Sequence, residues 1–188
     1  MCESERGCWV FGYGSLVWRP AFPFVEQVPA SLDGFVRRFW QASPDHRGTP
    51  EAPGRVVTLV AHAGGRVHGR AFRVGAADVA GVLAALDHRE KAGYDALDVT
   101  LALADGRSVG ARVYVATPAN PEFLGPAAPD VIARQIASSH GPSGSNLEYL
   151  ERLHDALAEL GVPDPHVTEL LAAVRGLGVA SGGRRESR

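Results

Sequence analysis

Apolar residues recur with a period of two through the first two thirds of the chain and with a period near 3.6 after that, which predicts strands early and helices late. Strand-like runs cover residues 9–12, 35–41, 55–61, 67–74, 97–103 and 109–116. The last two are expected to pair, because Val99, Leu101 and Leu103 alternate with polar or small residues as Val109, Ala111, Val113 and Val115 do, and Asp105-Gly106 between them is a hairpin signal. One face of that hairpin should be core.

Helical spacing covers 76–88, where Val79, Val82, Leu83 and Leu86 form an i, i+3, i+4, i+7 stripe. Two or three helices follow. Residues 130–139 carry Val131, Ile132 and Ile136, while Ser145 and Glu148 form a candidate capping box before Leu147, Leu150, Leu153 and Leu157, with Gly161 as terminator. Asp164-Pro165 opens a last helix bearing Val167, Leu170, Leu171 and Val174. Strands followed by a helical cluster predict an α+β domain with a small mixed or barrel-like sheet flanked by helices. A doubly wound parallel sheet fits poorly, since residues 9–61 hold no amphipathic segment long enough for a crossover helix.

Length and composition narrow the picture. A chain of 188 residues with 45% apolar content suits one compact domain, expected over residues 1–180, with 181–188 (SGGRRESR) as a disordered tail that has nothing apolar to anchor it. The formal charge of −2 is spread along the chain, so no global field favours nucleic acid or an anionic membrane, and a small polar substrate fits better. Cys2 and Cys8 form no CxxC pair, so neither a disulfide framework nor a zinc site is expected, and a reducing compartment is the simplest reading. The opening MCESERGC lacks the basic-then-apolar order of a signal peptide, and no apolar run approaches the ~18 residues of a membrane span, so the expected setting is cytoplasmic. The seven His make no HExxH and no cluster at ligand spacing, which predicts no metal.

Three segments have the residue types for chemistry. Phe11-Gly12-Tyr13-Gly14-Ser15-Leu16 is a glycine-punctuated turn after an apolar strand; it reads either as a structural turn or as a cradle of backbone N–H groups for a carboxylate or oxyanion. It lacks the third glycine of a dinucleotide fingerprint and the Gly-Lys-Ser/Thr ending of a phosphate loop. Glu90 stands 11 residues after Val79, which returns it to within about 20° of the apolar face. An inward carboxylate is either ion-paired, with Arg89, Lys91 or a remote arginine, or a partly desolvated general base. Asp45-His46-Arg47-Gly48 and Pro53-Gly54-Arg55 read mainly as an ordered loop, with Arg47 or Arg55 either holding a substrate carboxylate or sitting in a structural pair.

Taken in order, FGYGSLVW at 11–18, RRFWQAS at 37–43, DHRGTPEAPGRVVTLV at 45–60, HREKAGY at 88–94 and GPSGSNLEYL at 141–150 resemble the ChaC-type γ-glutamylcyclotransferases. The similarity runs from Trp9 into the helix beginning near Asn146. It implies the γ-glutamylcyclotransferase fold and cleavage of glutathione to 5-oxoproline and cysteinylglycine, without metal, cofactor or obligate protein partner. It also implies that Val10, Phe11, Gly12, Tyr13, Gly14, Ser15 and Leu16 bind substrate, that Glu90 is the catalytic glutamate, and that Tyr149 is an aromatic residue near the substrate. The chain departs from its relatives between Phe72 and Leu86, which is Ala- and Gly-rich, so a secondary carboxylate at a position such as Gly81 is missing. Other γ-glutamyl amides or amines as substrates, and a non-catalytic γ-glutamyl-binding module, are the competing readings.

Overall fold

The computed structural model describes residues 7–89 and 94–182. Its barrel strands are β1 (Cys8–Gly12), β2 (Glu26–Ser43), β3 (Gly54–Val74), β4 (Tyr94–Leu103) and β5 (Ser108–Ala116). Its helices are α1 (Val79–Arg89), α2 (Pro129–Ser138), α3 (Asn146–Glu159) and α4 (Pro165–Gly182). The strands close into a barrel in the order β1-β3-β2-β4-β5. Strand β1 runs antiparallel to β3 and parallel to β5, which closes the ring, while β4 runs antiparallel to both β2 and β5. The α+β class follows from the sequence pattern as expected.

Two compact units emerge, one taking in the chain up to Arg38 with Val57–Phe123, the other Phe39–Val56 with the chain from Leu124 on. In the first, β4 and β5 form the predicted hairpin with Leu101 opposite Val109 and Gly106 at φ 90° in the turn. Leu101, Leu103, Ala111, Val113 and Val115 are all buried. Helix α1 buries Val79, Val82 and Leu86 against Cys8 and Val10 of β1, Val74 of β3 and Tyr114 of β5. The second half of β5 is therefore buried on both faces, Val113 and Val115 on one and Tyr114 on the other.

Where the sequence suggests two strands around residues 62–66, the chain makes one strand of 21 residues. Gly64 at φ 74° bends β3 without ending it, and a Cβ at Gly65 would lie 2.6 Å from the carbonyl oxygen of Phe35. Only glycine allows the two backbones to approach that closely.

In the second unit, Ser145 caps α3 by accepting from the Glu148 amide at 3.1 Å. The return arm of a capping box is not made. Glu148 turns its carboxylate to Arg47 and Arg152 instead. Gly161, at φ 71°, ends the helix as predicted. Asp164 Oδ1 accepts from the amides of His166 and Val167, so it caps α4, which buries Val167, Leu170, Leu171 and Val174. Val131 is 44% exposed and lies off the buried stripe of α2, contrary to its predicted core role. Cys8 is disulfide-bonded, which corrects the expectation of a chain without disulfides. Helix α4 extends through Gly182, and the remainder of the expected tail lies outside the described residues.

Candidate functional site

Strand β1 delivers the chain into the Gly12–Leu16 turn at a point where no side chain fits. A Cβ on Gly12 would come 2.8 Å from Leu16 Cβ and 3.2 Å from Phe72 Cε2. Beneath it, a Cβ on Gly69 would stand 2.2 Å from the Gly12 carbonyl oxygen. These two glycines let the turn fold flat onto β3.

Beyond Gly12 the chain makes a single 3-10 turn, Ser15–Val17, with the Val17 amide donating to the Gly14 carbonyl at 3.0 Å and the Arg19 amide to Ser15 at 2.9 Å. Among the described residues, the amides of Gly14, Ser15 and Leu16 meet no hydrogen-bond acceptor, as expected where a helical turn begins. All three residues are half-buried. Three successive N–H groups without acceptors, close to the surface, can receive a carboxylate or a carbonyl oxygen that gains negative charge.

Tyr13 fixes the turn from both ends of its residue. Its hydroxyl donates to the Tyr114 carbonyl at 2.7 Å, and its own carbonyl accepts from Arg37 Nε at 2.9 Å. Arg37 is 2% exposed and also donates to the His68 carbonyl. Val10 and Phe11 are buried in the strand that carries the turn. Leu16 packs against the cluster of α1, β1 and β5.

Sequence reasoning did not single out Arg37 or Tyr114. A signal for Arg37 exists in the alternation of β2, since Arg37, Phe39 and Gln41 share one parity and all are buried. Tyr114 carries no comparable signal, because α1 covers a strand face that the hairpin pattern assigns to solvent.

Glu90 lies outside the described residues, as do its neighbours 91–93. Helix α1 is described through Arg89. Tyr149 belongs to the second unit, where it is 5% exposed. Its ring meets Phe39 edge-on at 6.0 Å, and the Arg47 guanidinium stands 5.7 Å from its centroid.

Both arginines considered for a substrate carboxylate are engaged internally. Arg47 donates to the Ser145 carbonyl at 3.0 Å and to Glu148 Oε2 at 3.1 Å. Arg55 donates to Gln135 Oε1 at 2.6 Å and to the Phe39 carbonyl at 3.0 Å, and burial pulls its pKa below the usual arginine value. Asn146, buried, clamps the Arg55 backbone with bonds of 2.6 and 2.7 Å. The surrounding loop is glycine-dependent: a Cβ on Gly48 would lie 2.1 Å from the Gly54 amide nitrogen, and one on Gly141 would lie 2.4 Å from the His46 carbonyl. The loop of the central motif thus packs backbone against backbone.

Among the described residues, no group of three or more His, Cys, Asp or Glu is placed to hold a metal ion. No helix among them is long and apolar enough to cross a membrane.

Comparison with known proteins covers nearly the whole chain. The family model described as ChaC-like protein matches residues 8–177. The human glutathione-specific γ-glutamylcyclotransferase 1 is 44% identical over 177 residues, 91% of this chain and 80% of its own. The γ-glutamylcyclotransferase 2-3 of Arabidopsis thaliana is 44% identical over 176 residues, 89% of this chain and 88% of its own. A crystal structure of the glutathione-specific γ-glutamylcyclotransferase from yeast superposes with a TM-score of 0.86 at 32% identity, covering 91% of this chain and 96% of that one.

Proposed function

The chain belongs to the ChaC-like family, and from that footing we propose that it is a γ-glutamylcyclotransferase that cleaves glutathione to 5-oxoproline and cysteinylglycine. The observation that carries the reading is the row of half-buried amides at Gly14, Ser15 and Leu16, held in place at Tyr13 and without acceptors among the described residues.

The chemistry requires the substrate's α-amine to attack its own γ-carbonyl. That amine is mostly ammonium near neutral pH, since an α-amino group titrates at about 7.7–8.0. A base must take its proton, and Glu90 is the group proposed to do so. A bond forms from the amine nitrogen to the γ-carbon, and the carbonyl electrons move onto oxygen, where the turn amides receive the charge. When the carbonyl re-forms, the amide bond to cysteine breaks. Glu90 returns the proton to the departing nitrogen, so one carboxylate serves as base and then as acid.

Loss of one oxyanion donor typically costs roughly 3 kcal/mol of transition-state stabilisation. Folding the γ-glutamyl chain into an attack-ready shape contributes on the order of 7 kcal/mol or more, so binding must fix its conformation. The cytosol, which holds a glutathione pool, is the compartment proposed to supply the substrate.

Incubation with reduced glutathione should release 5-oxoproline and cysteinylglycine in equal amounts, and Glu90→Gln should abolish release while the variant remains folded. An active Glu90→Gln protein removes Glu90 from the mechanism. A panel of γ-glutamyl dipeptides tests the substrate: glutathione should give the highest kcat/KM, and a dipeptide that outcompetes it broadens the specificity.

A further inference from the structure

We infer that Tyr114 is a positioning residue that ties the substrate turn to the last turn of α1, the helix leading into Glu90. The inference rests on the reading of Glu90 as the base. Tyr114 reaches in two directions. Its main-chain carbonyl accepts the Tyr13 hydroxyl at 2.7 Å, and its own hydroxyl donates to Asp87 Oδ1 at 2.7 Å. Asp87 is three residues before position 90. One residue of β5 therefore joins the turn proposed to bind substrate to the helix end proposed to deliver the base.

Packing follows the same line. Tyr114 lies in one apolar cluster with Val79, Val82 and Leu86 of α1 and Val10 of β1, and Leu16 of the turn rests against that cluster. Phenylalanine would fill this space equally well. A hydroxyl in a site 7% exposed costs desolvation unless it is bonded, so the bond to Asp87 is what a tyrosine adds here. A side-chain bond at Asp87 holds the last described turn of α1 laterally against β5. That restraint matters because a displacement of about 1 Å at reacting groups can cost on the order of a hundredfold in rate.

The test uses the full chain with Tyr114→Phe, Asp87→Ala, Asp87→Asn and the double variant Tyr114→Phe/Asp87→Ala. Tyr114→Phe deletes the hydroxyl and leaves the main-chain bond to Tyr13 in place. We expect kcat on glutathione to fall about ten- to a hundredfold in Tyr114→Phe and in Asp87→Ala, with KM changed by less than about twofold. The double variant should be no worse than either single one, because both remove the same bond. Asp87→Asn keeps an acceptor and should lose less than Asp87→Ala. A purely structural role would lower the melting temperature without separating kcat from KM. Amide hydrogen exchange over residues 86–89 should quicken in Tyr114→Phe.

A kcat in Tyr114→Phe within about twofold of wild type, or additive losses in the double variant, overturns the inference. If wild-type protein releases no 5-oxoproline, the cyclotransferase reading falls. The tether is then judged on exchange alone, with unchanged exchange at 86–89 overturning it and faster exchange supporting it.

Discussion

Arg37 places its guanidinium against the main chain of Tyr13, with Nε donating to the Tyr13 carbonyl at 2.9 Å and a second nitrogen donating to His68. The side chain is 2% exposed, yet these two acceptors are carbonyl oxygens, one in the turn and one in β3. A buried cation is used here as a backbone clamp. Charge-assisted bonds of this kind are roughly twice as strong as neutral ones, and they fix the direction in which the following amides point.

Arg37→Met should therefore lower both stability and turnover. It leaves two carbonyl oxygens without their donor in a buried site, at a cost of about 3 kcal/mol. The urea midpoint reads that loss. Arg37→Lys keeps the charge but not the planar fork, so it should fold better than the Met variant and still turn over more slowly than wild type. Full activity in Arg37→Lys would show that the clamp does not govern the turn.

Gly12→Ala tests the close approach at the end of β1. The added methyl would stand 2.8 Å from Leu16 Cβ and 3.2 Å from the Phe72 ring, so Leu16 and the turn must move. Such overpacking costs typically 1–3 kcal/mol, and here the relief shifts the three amides. We expect kcat/KM for glutathione to drop by at least about tenfold, since losing one oxyanion donor alone is worth more than that. Steady-state kinetics on folded protein, checked by circular dichroism, decide it.

Much of this architecture was legible from patterning. The β4–β5 hairpin, the buried stripe of α1 and the ends of α3 at Ser145 and Gly161 follow from periodicity, caps and turn chemistry that act within a few residues. What escaped depends on contacts between distant parts of the chain. Residues 54–74 look like two strands because Gly64-Gly65 reads as a break, whereas packing against Phe35 carries one strand through it. Val131 fits a helical stripe by spacing but faces solvent. The turn at Gly12–Leu16 could be located from its glycines, but its clamps could not, since Arg37 and Tyr114 stand 24 and 101 residues from Tyr13. Arg47 and Arg55 illustrate the opposite failing: their residue type suits a carboxylate ligand, and only the fold reveals the glutamate, the glutamine and the carbonyls that occupy them.

Gly81 should be a site of gain. It lies exposed within α1, and a Cβ there would meet nothing within 4 Å. Glycine in a helix interior costs roughly 0.5–1 kcal/mol relative to alanine, largely through the freedom it gives the unfolded chain. Gly81→Ala should raise the melting temperature by about 1–4 °C in a chain of this size. A scan showing no increase would mean that α1 contributes little to cooperative unfolding.

Glu148 gives the stability a dependence on pH. Its hydrogen bond to Arg152, then that to Arg47, hold its carboxyl below the ordinary glutamate range in the folded state. In the unfolded chain it titrates near the reference value of about 4.3. A depressed folded pKa means that the ionised form favours folding, so the contribution is fully present above the unfolded value. It declines as pH falls from there toward the folded value, and it is absent once both states are protonated. Glu148→Gln should therefore lower the urea midpoint by a constant amount between about pH 6 and 8, and the gap to wild type should close as pH drops below about 4. Because the side chain is 40% exposed, added salt should shrink the gap. A gap that persists unchanged into strong acid would assign the effect of the substitution to packing and not to the pairing with Arg152 and Arg47.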